Sequence, residues 1–196
     1  YCTSLTTVNF PECLDIGKDA FCNCIRLTTI SFPACTTIGV SAFNDCQKLT
    51  TVSFPACVNI DSYAFTYCYS LTTISFPVCT SIAGFAFSHC SNLVAVTFPK
   101  CSYIGRYAFN CCDKLITINF PVCTTIGTNT FAYCTSLTSV RLPLCSSIMN
   151  NVFYSCSELG TISLPTCTTI ESHAFQYCTY LVSLYLTGSK YVALSN

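Results

Sequence analysis

Leucine recurs at positions 5, 27, 49, 71, 93, 115, 137, 159 and 181, always 22 residues apart and without insertion. A fixed period constrains a chain more than any local motif. Each copy must adopt one shape and bury its apolar side against the copies before and after it. The consensus L-T-T-I-S-F-P-x-C-T-x-I-x-x-x-A-F-x-x-C-x-x reads as one rung of a parallel solenoid. A single rung cannot hide this much apolar surface. Rungs stacked in register can, with parallel strands ~4.8 Å apart. The pattern predicts one solenoid domain over residues 1–196 with about eight to nine rungs. Residues 187–196 lose the Pro and Cys of the pattern and read as a divergent rung or cap. The opening Tyr1-Cys2-Thr3-Ser4-Leu5 matches mid-repeat Tyr133-Cys134-Thr135-Ser136-Leu137, which predicts a fragment of a longer protein.

Within a rung, Leu5-x-x-Val8-x-Phe10 reads as one short strand with Leu, Val and Phe turned inward. Its β-branched and Thr-rich composition suits a strand. Pro11 and its equivalents lack an N–H for the ladder and mark the strand's end. Cys13 and Ile16 carry the chain round the next corner. Gly17, Gly39, Gly105 and Gly127 predict a turn whose backbone other residues resist. Ala20-Phe21-x-x-Cys24 reads as one helical or 3₁₀ turn, because positions three apart share a face. Identical side chains then form ladders. Phe21, Phe43, Phe65, Phe87, Phe109, Phe131, Phe153 and Phe175 make one aromatic column. Phe10, Phe32, Phe54, Phe76, Phe98 and Phe120 make a second, continued by Leu142, Leu164 and Leu186. Each buried ring contributes up to ~3 kcal/mol.

The 19 cysteines invite a disulfide or metal reading. Their placement favours buried structural thiols. One column runs 13, 35, 57, 79, 101, 123, 145, 167, and the other 2, 24, 46, 68, 90, 112, 134, 156, 178. Both fall at inward positions, where a free thiol acts as a small hydrophobe. Vertical neighbours hold their Cβ atoms nearly a full strand spacing apart, beyond the usual disulfide separation of ~3.8 Å. A straight column does not converge on a metal ion. Only Cys22 and Cys111 leave the columns. They lie four rungs apart, roughly 19 Å at strand spacing, too far to pair with each other.

Function classes narrow quickly. The formal net charge is zero, from 8 Lys+Arg and 8 Asp+Glu, so no basic stripe exists to neutralise nucleic-acid phosphates. Thr, Ser or Pro breaks every apolar run, so insertion of a membrane-spanning helix is not expected. His89 and His173 lie four rungs apart, and the carboxylates share few columns. Asp15 and Asp19 share a rung but read as a solvated pair near a turn. There is no phosphate loop and no nucleophile elbow. No catalytic residue, metal or cofactor is expected.

Two outward surfaces are candidates for binding. The strands present Thr7, Thr29, Thr51, Thr73, Thr117, Ser139 and Thr161 in one column, and Ser31, Ser53, Ser75 and Arg141 in the next. Together these read as a flat, neutral hydroxyl face, although Thr also suits strands for purely structural reasons. The second surface is a ridge of tyrosines. Tyr67, Tyr133 and Tyr177 share one column with His89 and Cys111, Tyr63 and Tyr107 line another, and Tyr69 and Tyr180 are read as a third. Tyrosine offers large amphipathic area at low entropic cost and is enriched at interfaces, but it also serves as ordinary packing over turns.

The motif L-x-x-I-x-F-P, then I-G, then A-F-x-x-C-x-x-L resembles the BspA-like branch of the leucine-rich repeats. One copy here is Leu27-Thr28-Thr29-Ile30-Ser31-Phe32-Pro33, Ile38-Gly39 and Ala42-Phe43-Asn44-Asp45-Cys46-Gln47-Lys48-Leu49. The unit is a residue shorter between Pro and Ile than is common in that branch. The resemblance implies surface-exposed or secreted proteins of host-associated bacteria and some mucosal protists, adhering to host matrix proteins or other cells. It brings no catalytic residues. The leading expectation is therefore a non-enzymatic adhesion module for a protein or glycan partner, at the cell surface or secreted. The alternatives are a spacer or end-to-end self-assembling solenoid and, more remotely, an ice-binding face built on the T-x-S rows.

Overall fold

The structure, a computed structural model, describes residues 2–186 and shows the stacked 22-residue rungs. The reading of 187–196 as a divergent rung or cap lies outside the described residues. Each rung has three sides. The first carries the strand anticipated from the Leu-Val-Phe pattern. Thr7–Asn9 pairs in parallel with Thr29–Ser31, with Thr7 opposite Thr29 and Val8 opposite Ile30. Every later pair keeps this shift of one repeat, as when Ile162 meets Leu184. The strands divide into a three-stranded sheet ending at Thr51–Ser53 and a six-stranded sheet from Thr73–Ser75 to Ser183–Leu186.

At the strand's end Pro11 takes the second position of a β-turn closed by Cys13 N–H donating to Phe10 C=O at 3.3 Å. The pyrrolidine ring presets φ for that position. The turn leads into a second strand, where the sequence pattern predicts only a corner. Asp15–Ile16 pairs in parallel with Thr37–Ile38 and onward, making a six-stranded sheet through Thr125–Ile126 and a two-stranded one of Ser147–Ile148 with Thr169–Ile170. Each full rung thus contributes two strands rather than one. A two-residue strand gives no detectable alternation, so periodicity within a single copy could not reveal it.

The third side corrects the expected helical turn, since the described residues contain no helix. Its backbone bonds alternate. Asp19, Phe21 and Asn23 donate their N–H groups forward to the next rung, to Val40, Ala42 and Asn44 carbonyls at 2.8–2.9 Å. The intervening Ala20, Cys22 and Cys24 donate back three residues to Gly17, Asp19 and Phe21. A helix would keep all its bonds internal. Here the neighbouring rung supplies half the acceptors, and the backbone folds into consecutive turns that can reach them. These turns place residues 19 and 23 of the first rung, and both equivalents in every later copy, in the left-handed region at φ between 54° and 62°.

The glycines do a different task from the one anticipated. No described glycine has left-handed φ. Gly39, Gly105 and Gly127 instead permit close approach between rungs. A Cβ on Gly39 would lie 2.6 Å from the Ile16 carbonyl oxygen, a backbone atom that cannot swing aside.

The core fills the triangle. Phe43 and Phe65 stack at 5.3 Å, and Phe32 and Phe54 stack at 5.5 Å within 2° of parallel. The two columns meet edge to face, as in Phe32–Phe43 at 6.1 Å and 62°. Both arrangements suit the ring quadrupole. Leu27, Ile38, Ala42, Cys35 and Cys46 complete a representative rung, all fully buried.

Candidate binding ridge

The left-handed positions create the most distinctive surface. A Cβ makes this backbone conformation costly, by roughly 1–2 kcal/mol for ordinary residues. Asn, Asp and Gly are the residues that tolerate it best. Yet of the 16 non-glycine residues there, six are Tyr or Phe: Tyr63, Tyr67, Phe85, Tyr107, Tyr133 and Tyr177. None is β-branched, as the sterics demand. That exclusion across two columns was the available sequence signal for the left-handed backbone.

From these positions the rings project outward and stack at the rung spacing. Tyr63, Phe85 and Tyr107 form a three-ring pile with centroid separations of 4.8 and 4.7 Å, each step within 10° of parallel. The Arg106 guanidinium sits 5.7 Å from the Phe85 centroid, a cation–π distance. Four residues along, Tyr67 stacks on His89 at 4.9 Å and touches Tyr69 at 6.0 Å. Further down the solenoid, Tyr154 bridges Tyr133 and Tyr177 edge to face at 5.4 and 5.2 Å. The structure thus brings together Tyr63 with Tyr107, Tyr67 with Tyr69, and Tyr133 with Tyr177. Phe85 and Tyr154, absent from the sequence-based set, are the linking rings. Tyr69 and Tyr180 do not share a column, because they stand 111 residues apart, one more than five repeats. Tyr180 is exposed and makes no ring contact among the described residues.

Between the two aromatic rows runs a strip with Thr66, Ser88 and Asn110 as its floor, only 4%, 2% and 8% exposed. Thr66 Oγ1 donates to the Phe85 carbonyl, and Asn110 Nδ2 to the Ala132 carbonyl at 3.1 Å. The Ser88 hydroxyl has no hydrogen-bond partner among the described residues, although no fully enclosed side-chain N or O is left unpaired. Its oxygen therefore opens onto the strip. Desolvation holds the nearby Asp113 carboxyl above its ordinary range, with His89 pulling it the other way.

The hydroxyl face of the strands is less uniform. Thr7, Thr51, Thr73, Thr117 and Thr161 are exposed, as are Ser53, Ser75 and Arg141, while Thr29, Ser31 and Ser139 are half-buried. The break between the two sheets falls between Thr51–Ser53 and Thr73–Ser75.

Comparison with known proteins decides the family. The model for BspA type leucine rich repeat regions matches residues 1–80 and 58–182, in six copies. The chain belongs to the BspA-type leucine-rich repeat family. In structure this BspA-type chain is similar to the leucine-rich repeat protein TpLRR of T. pallidum, at 25% identity and a TM-score of 0.64. That match covers 90% of this chain and 78% of the other. It shares its fold with a leucine-rich repeat protein from Eubacterium ventriosum, at 16% identity and a TM-score of 0.54, covering 93% and 72% of the two chains. It also shares its fold with TLR13, solved in a complex with ssRNA13, at 18% identity and a TM-score of 0.57, covering 82% and 25%. No curated protein sequence is matched. Leucine-rich repeat proteins generally serve as protein-interaction modules, typically without enzymatic activity.

The interior thiols of this BspA-type solenoid have a defined role. In the first column each Sγ donates to the carbonyl two residues on in its own rung, as Cys79 does to Ser81 at 3.3 Å. In the second column each Sγ from Cys46 to Cys178 donates 25 residues back, into the preceding rung, as Cys90 does to Phe65 at 3.2 Å. All 19 cysteines are free. Burial pushes the Cys46 and Cys90 thiols up to about 12 and Cys79 to about 11. Among the described residues no three His, Cys, Asp or Glu side chains group to hold a metal ion, and no helix is long and apolar enough to cross a membrane.

Proposed function

We propose that this BspA-type chain is a non-enzymatic binding module, at the cell surface or secreted, that holds a protein or glycan partner on its tyrosine ridge. One observation carries the reading. Six Tyr or Phe residues occupy left-handed positions that Asn or Asp would fill at lower cost. Residues held in sparsely populated backbone regions concentrate at ligand clamps and similar working sites. Stacked, partly exposed tyrosines supply rigid amphipathic anchors of the kind that dominate interface energetics. The cell-surface setting rests on the family resemblance.

The ridge is preferred to the strand hydroxyls because the latter divide between two sheets and include half-buried positions. Surface plasmon resonance against purified matrix proteins and neutral glycans tests the reading. Ligands of the native chain should lose roughly tenfold in affinity with Tyr63→Asn or Tyr133→Asn. Equal binding by both variants, alongside loss with Thr73→Lys on the strand face, would move the site to the hydroxyl rows.

A further inference from the structure

The strip between the aromatic rows has the features of a ligand groove. Its sides are the pile Tyr63–Phe85–Tyr107 and the pair Tyr67–His89, and its floor carries the Ser88 hydroxyl. We infer that this groove binds an extended, uncharged, β-linked hexose oligosaccharide laid along the solenoid axis, a proposal that rests on the ridge reading above and names its ligand.

Three observations select this ligand. First, the groove is built mainly from neutral groups, phenol hydroxyls and the serine, with the Asp113 carboxyl near its His89 edge. The adjacent cation, Arg106, is engaged with the Phe85 ring. A polyanion would find no row of cations here, whereas sugar hydroxyls both donate to and accept from such groups.

Second, the floor oxygen is available. Ser88 is almost wholly buried between the rows, yet its hydroxyl has no intramolecular partner among the described residues. Its oxygen is not fully enclosed, so a ligand hydroxyl placed over it can take the bond that water otherwise fills.

Third, the steps agree. The rings repeat every 4.7–4.9 Å along the axis, and a β-linked hexose chain in its extended form advances by a nearly equal step per sugar. Each sugar would then meet one ring edge of the Tyr63–Phe85–Tyr107 pile. The positive rim of those rings faces sugar oxygens favourably. The pile ends at Ser41 on one side and Asn129 on the other, side chains too short to cover a ring. The outer faces of Tyr63 and Tyr107 are therefore left uncovered by neighbouring rings of the pile.

Isothermal titration of the whole chain with a β-1,4-linked glucose hexamer tests the inference, with the α-1,4-linked hexamer as control. The β-linked hexamer should bind one to one. The α-linked chain, which coils and lacks the matching step, should bind at least about tenfold more weakly. Tyr63→Asn combined with Tyr107→Asn should abolish binding, and Ser88→Ala should weaken it several-fold. Circular dichroism should show each variant folded, since Asn is at ease in the left-handed region. Lys100→Ala, on an exposed proline turn away from both aromatic rows, should leave affinity unchanged. No saturable binding of the β-linked hexamer, equal binding of both hexamers, or retention by the double variant would each overturn the assignment. A chain that binds a matrix protein through Tyr133 and Tyr177 but neither hexamer would sink the groove's ligand and leave the ridge reading standing.

Discussion

Phe87 and His89 stand two residues apart in one turn, and the solenoid treats them oppositely. Phe87 faces inward, is fully buried, stacks on Phe65 at 5.2 Å, and belongs to a column that is Phe in all eight copies. His89 faces outward at φ 59°, in a column that reads Asn, Asp, Tyr, His, Cys, Tyr, Ser, Tyr. Both donate a backbone N–H to the next rung, although only His89 does so from the left-handed region. The difference lies in what surrounds the side chain. Close packing inside the triangle accepts one shape, because a void or an overlap is felt at once. Outside, sterics exclude only β-branched residues, and the remaining freedom is open to binding.

The inner columns can be broken most completely with alkali. The thiols titrate at 9.0 when unperturbed, and in the fold Cys79 and Cys90 are raised to about 11 and about 12. A raised acid favours its protonated form in the native state. The stabilisation is therefore fully present below pH 9 and lost as pH rises through 11 to 12, because the unfolded chain releases its protons first. Circular dichroism against pH should show cooperative unfolding in that interval. A fold intact at pH 12 would contradict the buried thiols.

Next in size, Phe87→Ala should destabilise the chain by about 3–5 kcal/mol in denaturant titrations. It opens a gap in its own column and removes a contact to the other, since Phe87 also meets Phe98 edge to face at 5.9 Å. A loss under 1 kcal/mol would mean that neighbouring rings collapse into the space.

The thiol column gives a finer division. Cys90→Ala should lose about 1–3 kcal/mol, because it removes both apolar volume and the donor to the Phe65 carbonyl. Cys90→Ser keeps a donor and should lose less. If serine proves worse than alanine, the thiol acts as filler and its hydrogen bond contributes little. The smallest effect belongs to the outer column. Tyr67→Asn relieves backbone strain but forfeits the stack on His89, terms of about 1 kcal/mol each and of opposite sign. Its melting temperature should barely move. A large drop would turn the ridge into a structural element and remove the main support for the binding proposal.

Much of this architecture was legible from the spacing of residues. The inward columns of Leu, Phe, Ile and Cys, the parallel register and the strand end at Pro all follow from one repeated line of sequence, because a strict period forces equivalent residues into equivalent places. The tyrosine columns were visible too, but only as positions.

What the line of sequence could not supply depends on contacts between copies. Ala20-Phe21-x-x-Cys24 carries a helical spacing, yet the next rung competes for its N–H groups and draws it into alternating turns. Gly39 is small because the Ile16 carbonyl approaches it, and no local preference reports that contact. Asp15–Ile16 becomes a strand only because Thr37–Ile38 lies beside it. The period by itself determined which side chains face the core. The stacking of one rung on the next decided the backbone between them, and with it the left-handed sites from which the aromatic rings emerge, since hydrogen-bond partners 22 residues away are chosen in space and not along the chain.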